Sequence, residues 1–117
     1  MGIRRVVPDL ITDDLTGSRD FYTGLLGFEV GMDLGWVVNL VSPTNPTAQI
    51  ILFSSDESGP QPDITIEVDD VDAVHRQAID RALDIVYPLT DEEWGVRRFF
   101  VLDPNGRVLN VLSHKAD

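Results

Sequence analysis

One helix-start signal occurs twice, and it constrains the fold more than any other feature of the chain. Asp13-Asp14-Leu15 and Asp69-Asp70-Val71 lie 56 residues apart in a chain of 117. A carboxylate just ahead of an apolar-periodic run accepts hydrogen bonds from the unpaired N–H groups of a first helical turn, so each pair predicts a helix N-terminus. Leu15, Phe21, Tyr22, Leu25 and Leu26 follow the first at near-helical spacing, predicting an amphipathic helix over 14–26 with Gly27 as its C-cap. Val71, Val74, Ala78 and Ala82 follow the second.

The flanking segments repeat as well. The β-branched runs 3–12 and 63–68 precede the two helices and read as strands. Short strands are expected after the first helix at 28–32, 35–41 and 48–53, and after the second at 84–87, 94–102 and 107–114. Ser42, Pro43, Asn45 and Pro46 mark a turn at 41–48, and Asp103-Pro104-Asn105-Gly106 predicts a hairpin turn. The pattern is β-α-β-β-β twice, which a duplicated module explains better than one irregular chain. The expected fold class is α+β, a single domain over 1–117 with module one at 1–54, module two at 62–117 and a Ser-, Gly- and Pro-rich linker at 54–62.

Charge and composition exclude several functions. Acidic residues outnumber basic ones 20 to 9, giving a formal net charge of −11. That field repels phosphate backbones and anionic lipid, so neither nucleic acid nor membrane is expected as a partner, whereas a cationic ligand is favoured. The absence of cysteine removes disulfides, thiolate metal sites and cysteine nucleophiles. No apolar run reaches the length of a membrane span, and residues 1–12 lack the apolar core of a signal peptide, so the cytoplasm is the expected compartment. No Ser-His-Asp group, Gly-rich phosphate loop or HExxH motif is present.

Three motifs carry a resemblance. Asp14-Leu15-x-x-Ser18-x-x-Phe21-Tyr22 at the first helix and Asp103-Pro104-Asn105-Gly106 before a Val-Leu-Asn-Val-Leu strand resemble the vicinal-oxygen-chelate superfamily of glyoxalases, bleomycin resistance proteins and extradiol dioxygenases. Trp94-Gly95-x-Arg97 resembles the metal-free, antibiotic-binding branch of that superfamily. The resemblance covers nearly the whole chain. It implies paired modules whose sheets curl around a cavity, helices on the convex faces, and a homodimer in which a second subunit completes the cavity.

The resemblance also implies where metal ligands would stand. Metal-using members project four His, Glu or Gln side chains from the first and last strand of each module. Counting back seven from the capping Asp14 and Asp70 gives Val7 and Asp63, and the resemblance puts the fourth-strand position at about Gln49 and the last-strand position at Asn110. Valine has no donor atom, and two neutral amides with one carboxylate hold a transition metal poorly, so no metal and no cofactor is expected. Of the histidines, His75 is expected on the outer helix. His114 shares the strand parity of Asn110, at a chain end where strands fray.

Alternate strand residues share a face, so parity with those four positions selects the cavity lining. Asp9 is selected on the first strand, Gln49 and Phe53 on the fourth, Asp63 and Glu67 on the fifth, and Asn110 on the eighth. The opposite parity gives Ile64, Ile66, Val68, Leu109 and Val111, all apolar, as a helix-packed face requires. Trp36 and Trp94 add flat surfaces for a ligand. Arg97-Arg98 and Phe99-Phe100 break the alternation, so both Arg97 and Arg98 stand as ligand-binding candidates.

The function expected is metal-independent binding of a small molecule, sequestering an antibiotic or a related planar or cationic metabolite, with no catalytic residue. The alternative is a glyoxalase- or dioxygenase-like enzyme, a lyase or isomerase, in which Asp63 or Glu67 serves as an acid–base group.

Overall fold

The computed structural model describes residues 2–55 and 59–115. Its order is β1 (Ile3–Thr12), α1 (Leu15–Leu26), β2 (Glu29–Asp33), β3 (Val37–Val41), β4 (Gln49–Ser54), β5 (Ile64–Val68), α2 (Val71–Asp80), β6 (Ile85–Asp91), β7 (Val96–Leu102) and β8 (Val108–His114). The class is α+β, and β-α-β-β-β occurs twice. Part of the linker expected at 54–62 lies outside the described residues.

The two helix starts use identical chemistry. Asp14 accepts a hydrogen bond from the Gly17 N–H at 3.0 Å, and Asp70 accepts one from the Ala73 N–H at 3.1 Å. Gly27 ends α1 in the left-handed conformation, with φ 81°. The second helix stops earlier than its apolar spacing suggests. Its cap is Arg81, and Ala82 has turned to φ 54°, outside the helix.

The chain divides into two compact units, 6–61 and 1–5 with 62–117. The first residues of β1 group with the later unit because polar contacts tie them there. Arg4 pairs with Asp69 at 2.6 Å, Arg5 with Glu67 at 2.5 Å, and the Gly2 N–H donates to Asp69 at 3.1 Å.

In unit 6–61 the strands run in the order β2-β3-β4-β1, with β1 parallel to β4 and the other pairs antiparallel. Val38, Leu40 and Leu52 form its core, and Leu15 and Tyr22 of α1 pack on them with Phe28 and Ile50. Phe21, Leu25 and Leu26, the other apolar residues of α1, are exposed.

In the other unit the order is β5-β8-β7-β6, with β5 parallel to β8. Its core, Val68, Val71, Ala78, Phe99, Val101 and Val111, receives Ile66, Val74, Ile85, Leu89 and Leu109. Ile66, Val68, Leu109 and Val111 thus sit with α2, on the face that strand parity assigned to a helix. Strand β6 extends to Asp91, beyond the expected 84–87, because Leu89 still contributes to this core. The turn at 103–106 closes as expected, with Asp103 and Arg107 hydrogen-bonded at 2.9 Å and Gly106 at φ 83°.

Candidate functional site

The face of β5-β8-β7 opposite α2 gathers most of the unit's functional side chains. Register decides which. Phe100 stands opposite Asn110 and Arg98 opposite Leu112, while Phe99 stands opposite Val111 on the helix side. Strict alternation therefore holds through Arg97–Phe100. Arg97 leaves on the α2 side, where its guanidinium reaches Asp72 at 2.9 Å and Asp91 at 3.3 Å. Hydrogen bonding from Arg97 holds the Asp72 carboxyl below the usual range, outweighing burial. Arg97 is thereby separated from the other candidates and engaged with the helix.

Arg98 occupies the opposite face, and four residues enclose it. Its Cζ lies 4.9 Å from the ring centre of Phe100 and 5.1 Å from those of Tyr87 and Trp94. Its Nε donates to Glu92 Oε2 at 2.6 Å, and the Tyr87 hydroxyl donates to the same oxygen at 2.8 Å. The tight turn between β6 and β7 brings Glu92 and Trp94 over the strand. Gly95 enables it by adopting φ 90°, a conformation L side chains rarely take. The Arg98 and Glu92 side chains are only 15% and 11% exposed, while Trp94, at 44%, is the most exposed member of the cage.

A second cluster on this unit surrounds Glu67. Arg5 Nε donates to Oε1 at 2.5 Å, and His114 Nδ1 lies 3.0 Å from Oε2. Burial alone would raise the Glu67 pKa, but the hydrogen bonds from His114 and Arg5 hold it below the ordinary glutamate value. The His114 end of β8 is anchored by the Lys115 N–H donating to the Gly95 carbonyl at 2.9 Å. Asn110 is buried and donates through Nδ2 to Thr65 Oγ1 at 3.1 Å, leaving its Oδ1 without a hydrogen-bond partner among the described residues. Asp63 lies just before β5 and is exposed. Its Oδ2 accepts the Val108 N–H at 2.8 Å, so it holds the strand start.

In unit 6–61, Trp36 stacks on Phe53 with ring centres 6.4 Å apart and planes 24° from parallel. Gln49 has both ends of its amide engaged. Asn39 Nδ2 donates to Oε1 at 2.9 Å, and Nε2 donates to the Pro46 carbonyl at 2.7 Å. Asp9 is buried on β1, two residues from the fully buried Val7.

Tyr87, Glu92 and Phe100 did not emerge from sequence reasoning. Phe100 follows once the hairpin register is applied to β7. Tyr87 and Glu92 carry no comparable signal, because irregularities on both sides of Tyr87 shift the β6–β7 register.

The sequence matches the family described as the Glyoxalase/Bleomycin resistance protein/Dioxygenase superfamily over residues 2–111. The chain belongs to this superfamily. Solved structures share the superfamily fold at low identity. A Legionella pneumophila chain described as an NAD-dependent benzaldehyde dehydrogenase aligns with TM-score 0.73 and 22% identity, over 94% of this chain and 99% of its own. A superfamily member from Vibrio splendidus 12B01 aligns with TM-score 0.70 and 23% identity, over 96% and 99%. A Streptomyces coelicolor methylmalonyl-CoA epimerase aligns with TM-score 0.72 and 18% identity, over 98% and 100%. No curated protein matches the chain significantly.

The positions assigned to metal ligands in this glyoxalase-superfamily chain do not suit a transition metal. Val7 is apolar and fully buried, with 0% exposure. The Gln49 amide is engaged at both ends, Asn110 is a neutral amide, and only Asp63 brings charge. Among the described residues no three His, Cys, Asp or Glu side chains come together as an ion would need. Among the described residues, no helix of this superfamily member is long and apolar enough to cross a membrane.

Proposed function

We propose that this superfamily member binds a flat small molecule without a metal, sequestering it rather than transforming it. The observation that carries this reading is Val7. A fully buried valine stands at the position that the sequence resemblance assigns to a metal donor, and a hydrocarbon side chain cannot supply one. Each unit by itself supplies flat apolar surface of the kind on which planar ligands gain affinity, the part-exposed Trp94 in one and the Trp36–Phe53 stack in the other.

The acid–base alternative receives less support. A general base working near neutrality needs a carboxyl raised by its surroundings, and Glu67 is held in the opposite direction. The same engagement weakens the case for a cationic ligand, because Glu67 faces Arg5 and His114 while Glu92 faces Arg98. A planar aromatic compound, with antibiotics of that shape as one class, fits better than a cation. A homodimer in the cytoplasm belongs to the same proposal.

Elemental analysis of protein purified without chelator tests this function. The expected result is no transition metal in stoichiometric amount. One metal ion per chain would overturn it.

A further inference from the structure

We propose that Arg98 is the ligand's polar anchor, and that it selects a flat, uncharged ring bearing a carbonyl oxygen. This deepens the metal-free binding proposed above and rests on it.

The cage leaves four of the guanidinium's five N–H donors without an acceptor among the described residues. Arginine has five N–H donors in one rigid plane. In Arg98, Nε is taken by Glu92, but Nη1 and Nη2 have no acceptor among the described residues. Neither is sealed from solvent. Three rings within 4.9–5.1 Å crowd the group, so little side-chain entropy is left to lose on binding. Trp94, the most exposed residue of the cage at 44%, places its indole beside those donors, where the body of a flat ligand would lie.

Charge then chooses between an anionic and a neutral acceptor. Glu92 already balances Arg98 at 2.6 Å, and both side chains are largely shielded from water. A ligand carboxylate would place a second negative charge beside Glu92, in a chain whose net charge is already −11. A carbonyl oxygen accepts the same N–H bonds without that repulsion, so the site favours the uncharged compound.

Calorimetric titration with three probes tests the assignment: chromone (a flat ring with a carbonyl), chromone carboxylate and naphthalene. Chromone should bind the protein more tightly than either of the others. Arg98→Lys keeps a cation facing Glu92 but loses the planar fork, and should weaken chromone binding about tenfold while leaving naphthalene unchanged. In the unaltered protein, chromone should shift the side-chain nitrogen NMR signals of Arg98, a readout that needs no variant. A preference for the carboxylate, equal affinity for naphthalene, or an unmoved Arg98 signal would each overturn the anchor. A stoichiometric metal would instead defeat the underlying function.

Discussion

Arg97 and Arg98 leave adjacent positions of β7 on opposite faces, one to Asp72 on α2 and the other into a cage of Tyr87, Trp94 and Phe100. The two guanidiniums are one residue apart in sequence and belong to different chemistry. Arg97 closes an exposed ion pair on the helix side, where water screens the attraction. Arg98 works where water is mostly excluded and its neighbours are rings.

The pair gives a direct contrast. Arg97→Gln should change the melting temperature little and leave binding of a planar probe as it was. Arg98→Gln should abolish most of the binding of a carbonyl-bearing probe such as chromone, and should lower the melting temperature because Glu92 then loses its cation in a shielded position. Thermal melts and probe titrations on the two variants check this. Equal behaviour would remove the distinction between the two faces.

Glu67 should contribute stability near neutral pH. Its pKa is depressed in the fold, despite burial, by hydrogen bonds from His114 and Arg5. A depressed carboxyl stabilises the folded state above its unfolded value, and that contribution is lost as pH falls through the folded value. Glu67→Gln should therefore cost about 1–3 kcal/mol near pH 7, and the gap to the parent should narrow below about pH 4. Denaturant unfolding at a series of pH values measures both. A gap that stays constant into acid would mean that the charge of Glu67 is not what stabilises the cluster.

The two helix caps should behave as equivalents. Asp14 and Asp70 each accept one N–H three residues on, at 3.0 and 3.1 Å. Asp14→Ala and Asp70→Ala should each cost about 1 kcal/mol, and the double variant should show nearly the sum because the two caps lie in separate units. Chemical denaturation of the three variants tests it. A large cost at one cap alone would show that its aspartate does something besides capping.

The elements that were legible in the sequence are those set by local chemistry. Asp14 and Asp70 announced their helices, and the alternation Ile66, Val68, Leu109, Val111 announced the face that packs on α2. The superfamily itself was readable from motifs that build turns and caps. The orientation of Arg97 and Arg98 was also within reach. The turn at 103–106 places Leu102 opposite Val108, which carries Phe100 to Asn110 and Arg98 to the face away from α2. What stayed hidden depends on several strands at once. Tyr87 and Glu92 reach Arg98 only through the irregular β6–β7 pairing, and His114 meets Glu67 because Lys115 ties down the end of β8. Asp63 had the right spacing for a ligand, but its carboxylate holds the Val108 N–H. Spacing identifies a position, whereas the hydrogen bonds around it decide what the side chain does there.

The central claim, binding without a metal, is tested most directly by titrating chromone into protein dialysed exhaustively against EDTA. The expected affinity equals that of untreated protein, with no change when zinc or nickel is added back. Binding that disappears with the chelator and returns with the metal would contradict it.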